Sequence, residues 1–229
     1  MSSSSQALAE KALTLLAVLG MASTAHADWK SDAVADALRA APPSVTRTAK
    51  IYAFEKSGKL VVVREGAGPY SCVASGAYSI RLGKPALPYP DPLCADQNAW
   101  TFLQAAWSEA NPLKPSKPLP TAPGLVWMLA GMNVTKQGVA VGKDASTKVA
   151  ADHEHAHGGG PGETITMTPH LMILPLPVDP ATAKLAGFYD PANPMAMWVM
   201  APNTPIEHLH VHFPEAVVQA LMSGHTLQK

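Results

Sequence analysis

Proline punctuates this chain. Twenty-two prolines are spread over 229 residues, concentrated in the connections. Each one fixes φ and removes a backbone donor, so it ends a helix or interrupts a sheet ladder. Five of them crowd into "PLKPSKPLPTAP" (112–123), which reads as an extended connector, with a PxxP ligand as the other reading. The elements between prolines are short, yet 47% of the residues are hydrophobic, enough to bury a sizeable core. The length suits one ordinary domain or a little more. Lys plus Arg equals Asp plus Glu at 17 each, so no basic footprint points to nucleic acid or to anionic lipid.

The first 27 residues read as an export signal. A start charged only by Glu10 and Lys11 leads into "ALTLLAVLGM" (12–21) and then "ASTAHA", ending in Ala25-His26-Ala27. The apolar stretch is shorter than the roughly 20 residues a membrane span needs. An uncleaved anchor is the other reading. The mature chain is therefore expected to begin near Asp28, in the periplasm or secreted, with no cysteine at the cleavage point to take a lipid. In an oxidising compartment the two cysteines, Cys72 and Cys94, are most simply a disulfide. Closing a loop of about 22 residues stabilises the fold by roughly 3 kcal/mol on the chain-entropy argument. Two thiolate metal ligands are the alternative, and the absence of CxxC argues against a redox shuttle.

Along the mature chain, "DWKSDAVADALRAAPPSV" (28–45) predicts a short helix stopped by Pro42-Pro43. "KIYAF" and "KLVVVREG" flank the turn "EKSG", and "YSCVASG" and "YSIRLG" continue the strand pattern. "ADQNAWTFLQAAWSEANP" (95–112) predicts the best helix, capped by Asp96, with Trp100, Leu103 and Trp107 on one face. "LVWMLAGM" (125–132), "HLMILPL" (170–176), "PMAMWVMA" (194–201) and "HLHVHF" (208–213) read as strands, and "PEAVVQALMSG" as a closing helix. Between them, residues 133–168 form a flexible, His- and Gly-rich loop. No repeat of fixed period occurs. Strands in runs with helices mostly outside them predict one α+β domain over 28–229, built on a largely antiparallel sheet, with a mainly-β sandwich as the alternative.

The motifs "AP…REG…YSC", "PDPLCAD", "PHLMI" and "MW…TPIEHL" occur in this order over residues 42–212. In this they resemble a group of small secreted bacterial proteins of unknown function. The group's pattern runs LREG-x-G-[WY]-x-C, P-x-C-x-D, G-P-H-x-M-I, then M-W-A-G-T-P-x-x-H-L-M-V-P. The resemblance implies that Cys72 and Cys94 pair, and it matches His170 and His208. It implies no activity. His210 and His212 depart from it, standing where the pattern has Met and Pro.

Alternation along "HLHVHF" places His208, His210 and His212 on one strand face and Leu209, Val211 and Phe213 on the other. With the apolar trio on the core, the histidines are expected to face solvent, a cavity or a partner. Neighbouring imidazoles arise from Cα atoms about 6.6 Å apart, close enough to share one ion, whereas the outer pair is about 13 Å apart. Two of the three plus an outside ligand make the plausible site, and His170, which opens its own strand beside Met172 and Leu174, is the leading outside candidate. His208, His210 and Glu215 also fit the first half of a cupin-type spacing, but the chain ends too soon for the second half. Met172, Met195, Met197 and Trp198 lie near these histidines in sequence. Thioether with imidazole suits Cu(I), although buried strands use methionine as filler too.

In "DHEHAHGGGPGE", His153, Glu154 and His157 satisfy H-E-x-x-H, with Gly160 where the longer zinc-protease signature has glycine. That chemistry needs a helix to set both histidines on one zinc and the glutamate on a water. Ser146 is a candidate cap, but Glu163 stands where the third ligand would be His, and glycines crowd the end. A weakly chelating loop of His153, His155 and His157 is the favoured reading. No phosphate loop and no G-x-S-x-G elbow occurs, and Asn133 opens a glycosylation sequon. The sequence thus favours an exported protein that binds zinc or copper through His170, His208, His210 and His212, without catalysis. A zinc hydrolase at His153-Glu154-His157 and a plain binding or structural protein remain as alternatives.

Overall fold

The computed structural model describes residues 29–87, 89–135, 164–187, 189, 190 and 192–224. Ten strands form, in chain order: β1 (Lys50–Phe54), β2 (Leu60–Arg64), β3 (Tyr70–Val73), β4 (Leu93–Asp96), β5 (Gly124–Met128), β6 (Met132–Thr135), β7 (Thr164–Met167), β8 (His170–Leu174), β9 (Trp198–Met200) and β10 (His208–His212). Among the described residues four α-helices accompany them, α1 (Trp29–Ala37), α2 (Pro43–Thr46), α3 (Gln97–Ser108) and α4 (Glu215–Met222). Eight strands join one sheet in the order β2-β1-β3-β4-β5-β8-β10-β9, and β6 and β7 make a separate ribbon. β1 and β3 run parallel, and the other pairings of the sheet are antiparallel. The architecture is α+β and sheet-dominated, with no second sheet of comparable size among the described residues to complete a sandwich.

Alternation gives the sheet two different faces. Val73, Leu93, Ala95, Val126, Met128, Met172, Leu174 and Trp198 point to one side, where Trp100, Phe102, Leu103 and Ala106 of α3 cover them. Ile51, Ala53, Cys72 and Cys94 point to the other, under Ala37, Ala40, Ala41 and Val45 of the N-terminal segment. The helix α3 is anchored to β5 at its first turn. Asp96 accepts from Ala99 N at 2.9 Å as the N-cap and from Leu125 N at 3.0 Å through its second oxygen. The approach is so close that a Cβ on Gly124 would lie 2.2 Å from the Ala99 nitrogen.

Cys72 and Cys94 stand directly opposite each other on β3 and β4 and are joined as a disulfide. Their sulfurs are therefore not thiolate ligands. The "EKSG" turn closes as expected, with Gly58 N donating to Glu55 O at 2.8 Å. Several expectations are corrected. The two ends of the expected 133–168 loop pair as β6 and β7, and the strand expected over 194–201 is confined to Trp198–Met200. "YSIRLG" is not a strand but a turn and a 3-10 segment, Ile80–Leu82, because Ser79 N and Arg81 N both bond back to Gly76 O. The predicted helix over 28–45 is divided into α1, a 3-10 turn at Leu38–Ala40, and α2, which begins at Pro43 rather than being stopped by it.

Candidate metal centre

β10 lies between β8 and β9, so its histidines look across at defined partners. His212 faces His170, His210 faces Met172 on one side and Trp198 on the other, and His208 faces Met200. All four histidines are buried, His170 and His210 at 0% and 1% exposure. Both faces of β10 are therefore covered, Leu209 on the one and the histidines on the other. The imidazoles occupy the helix-covered face, and the opposite face carries Leu209 and Val199 buried with Leu171, Ile173 and Val211 half-buried. Of the three surroundings open to them, the structure places the histidines inside the protein, against a cavity that His208 and His210 help to line.

Hydrogen bonds fix which nitrogen of three rings bears the proton. His170 Nδ1 lies 2.9 Å from the Thr168 carbonyl and His208 Nδ1 lies 2.8 Å from the Ile206 carbonyl. A carbonyl only accepts, so both Nδ1 atoms carry hydrogen and both Nε2 atoms carry the lone pair. His212 differs. Trp198 Nε1–H donates to its Nε2 at 2.9 Å, which leaves Nδ1–H to donate to Thr168 Oγ1 at 2.8 Å. Both nitrogens of His212 are thus committed inside the protein. By contrast, the Nε2 of His170 and both nitrogens of His210 are buried with no hydrogen-bond partner.

Burial is also the leading electrostatic influence. It pulls the imidazolium of His170 down to about 3, with a smaller contribution from His212 and His208 and partial relief from the Thr168 carbonyl. Burial, then the neighbouring His170, His208 and His212, push His210 well below the ordinary histidine range. His212 is lowered chiefly by burial as well. These three rings are neutral at physiological pH, the form in which imidazole coordinates metals.

The ring centres of His170 and His210 are 4.8 Å apart, and those of His208 and His210 are 4.9 Å apart. With bonds of about 2.0–2.1 Å to a shared zinc, the centres of two tetrahedrally arranged imidazoles lie about 5 Å apart. The spacing fits, but the orientation does not yet converge: His170 and His210 are stacked, with 27° between their planes. As placed, no three His, Cys, Asp or Glu side chains among the described residues are grouped to hold an ion. Coordination requires rotation of the His210 ring, which no hydrogen bond holds, about a terminal torsion whose wells are broad for histidine.

The methionines divide. Met172 is buried opposite His210, whereas Met195 and Met197 are 39% and 50% exposed. Trp198 packs against His210 at 4.4 Å between centres, tilted by 30°, and also holds His212. Met200, opposite His208, was not singled out from sequence, although its place in "WVM" two residues from Trp198 puts it on the same face. His153, Glu154, His155 and His157 lie outside the described residues, as do the export signal and Asp28. Comparison of the chain with known protein families, with curated proteins and with solved structures finds no match.

Proposed function

We propose that this is an exported protein that binds a transition metal, zinc or copper, through His170, His208 and His210. The observation that carries the reading is three buried ring nitrogens without a hydrogen-bond partner, Nε2 of His170 and both nitrogens of His210, beside a third ring whose lone pair sits on Nε2. A buried polar nitrogen without a partner costs about 1–3 kcal/mol, and four histidines in one core face are an expensive way to fill space. The backbone carbonyls behind His170 and His208 supply the orienting hydrogen bond that metal-binding histidines ordinarily have, fixing the tautomer with Nε2 forward. Met172 and Met200 add thioethers on the same face, which favours Cu(I) among the candidate ions. His212 serves as a positioning residue through Trp198 and Thr168. Export is supported by the leader-like start and by a disulfide, which belongs to an oxidising compartment. No helix among the described residues is long and apolar enough to cross a membrane.

The test is calorimetric titration of the untagged protein with Zn²⁺, Cu²⁺ and Cu⁺, with elemental analysis of the purified chain. One ion per chain is expected, and His170→Phe or His210→Leu should weaken binding at least 100-fold. A variant with His153, His155 and His157 all changed to Ala should retain the tight site. Tight binding that survives His210→Leu, or that disappears only in the loop variant, rejects the proposed ligand set.

A further inference from the structure

Beside the histidines lies a cavity of about 270 Å³ between α3, the 3-10 segment and the strands β8–β10. Its walls are mostly apolar, formed by Phe102, Leu103 and Trp107 of α3 and by Met172 and Leu174 of β8. By the volume of liquid water it has room for about nine water-sized groups, at the lower edge of the range of small-molecule sites. Two polar groups in this lining have hydrogen-bonding capacity left for a ligand. The guanidinium of Arg81 is half-buried over the Trp107 ring, 5.7 Å from its centre, with Nε donating to Ala77 O at 2.9 Å. No carboxylate among the described residues pairs with it. The acidic residue among those lining the cavity, Glu109, is occupied elsewhere: its oxygens accept from Ser116 N at 2.8 Å and Ser116 Oγ at 3.1 Å. The second group is His210. A neutral imidazole has one N–H and one lone pair, and neither is satisfied here. A metal ion consumes only the lone pair, so an N–H remains in want of an acceptor whether or not an ion is bound.

We infer that this cavity binds a small organic monocarboxylate, its apolar body packed against Phe102, Leu103 and Leu174 and its oxygens answering Arg81 and the His210 N–H. An uncharged ligand would leave the guanidinium unpaired. An organic cation would add like charge to Arg81. A larger anion such as a nucleotide exceeds the volume and would bring several charges to one guanidinium. The inference does not rest on metal binding, because both demands exist in the metal-free chain.

The experiment uses the full chain kept metal-free with a chelator. Octanoate and 3-phenylpropionate are titrated beside octan-1-ol and 3-phenylpropan-1-ol, followed by calorimetry and tryptophan fluorescence, which Trp107 in the wall should report. Each acid is expected to bind at least tenfold more tightly than its alcohol. Arg81→Met should reduce that preference to less than twofold while leaving the alcohol's affinity unchanged, and Arg81→Lys should restore most of it. Ala106→Leu, which adds bulk to the lining, should weaken acid and alcohol alike by more than tenfold. Equal affinity for acid and alcohol, no binding of either, or acid binding unaffected by Arg81→Met overturns the inference. His170→Phe, whose side chain is not in the cavity lining, separates the two proposals: it should abolish metal binding and leave acid binding in place.

Discussion

At the scale of single residues, the four buried histidines are not equivalent, and their partners say why. His212 is held from both ends, so replacing it removes a satisfied hydrogen-bond pair and strands the indole N–H of Trp198, a residue only 3% exposed. His210 has no hydrogen bond to lose in the metal-free protein. An apolar side chain of similar volume in its place removes two orphaned nitrogens from the core. In metal-free protein His210→Leu should therefore raise stability by about 1–3 kcal/mol, whereas His212→Leu should lower it by a similar amount. Urea denaturation of both variants in chelator reads the difference directly, as midpoints moving in opposite directions. If both fall, His210 has a partner in solution that its surroundings do not supply. With metal at 1,000 times its Kd, the wild type should gain about 4 kcal/mol and His210→Leu, bound at least 100-fold more weakly, at most about 1.4 kcal/mol, which offsets or reverses their order.

At the scale of elements, the site depends on how α3 seats on the sheet, because its second half makes one wall of the cavity. The seating is set at the first turn, where Asp96 ties the helix to β5 and Gly124 leaves no room for a side chain. Gly124→Ala should cost about 1–3 kcal/mol by overpacking against helix backbone that cannot step aside. A chemical denaturation curve with unchanged m-value and lower midpoint checks it. The helix itself was legible from its cap residue and the spacing of Trp100, Leu103 and Trp107, and alternation correctly grouped His208, His210 and His212 on one face. What alternation could not give was which face is the interior. The rule assigns apolar residues inward by default, and at β10 both faces compete for cover. The face beneath α3 took the histidines because Met172 and Trp198 on the neighbouring strands β8 and β9, with Met128 on β5 beyond, already commit that side to the core. "YSIRLG" misled for a related reason: four residues of alternation are too few to outweigh the glycines at 76 and 83, whose φ values of 123° and 70° suit turns. Arg81 on that segment carried no signal at all in sequence, since its importance comes from what is missing around it.

At the scale of the whole molecule, the neutral histidines tie folding to pH. His170, His210 and His212 have folded-state values below the ordinary 6.5, so the unfolded chain takes up protons that the folded chain refuses. Their stabilising effect is complete above pH 6.5 and is lost as pH falls below it. Asp91 works in the opposite sense. Burial raises its carboxyl to about 6 from an ordinary 3.8, offset in part by the Gly76 N–H it accepts at 2.8 Å. Its folded form holds the proton more firmly, so acidification from pH 7 to 5 relieves a cost instead of adding one. At pH 5 each deeply buried imidazole contributes a loss of about 2 kcal/mol and Asp91 returns about 1–2 kcal/mol. The histidines outnumber it, and stability should fall by about 2–4 kcal/mol between pH 7 and pH 5. The dependence should be visible as a urea midpoint that drops through this window in metal-free protein. His210→Leu supplies the decisive comparison, because it removes one of the refused protons. Its stability should fall less steeply with acidification, by about one proton's worth of slope, so that the variant's advantage over wild type widens as the pH is lowered from 7 to 5. A slope unchanged by His210→Leu would mean that this imidazole titrates normally, and that the core face of β10 admits water.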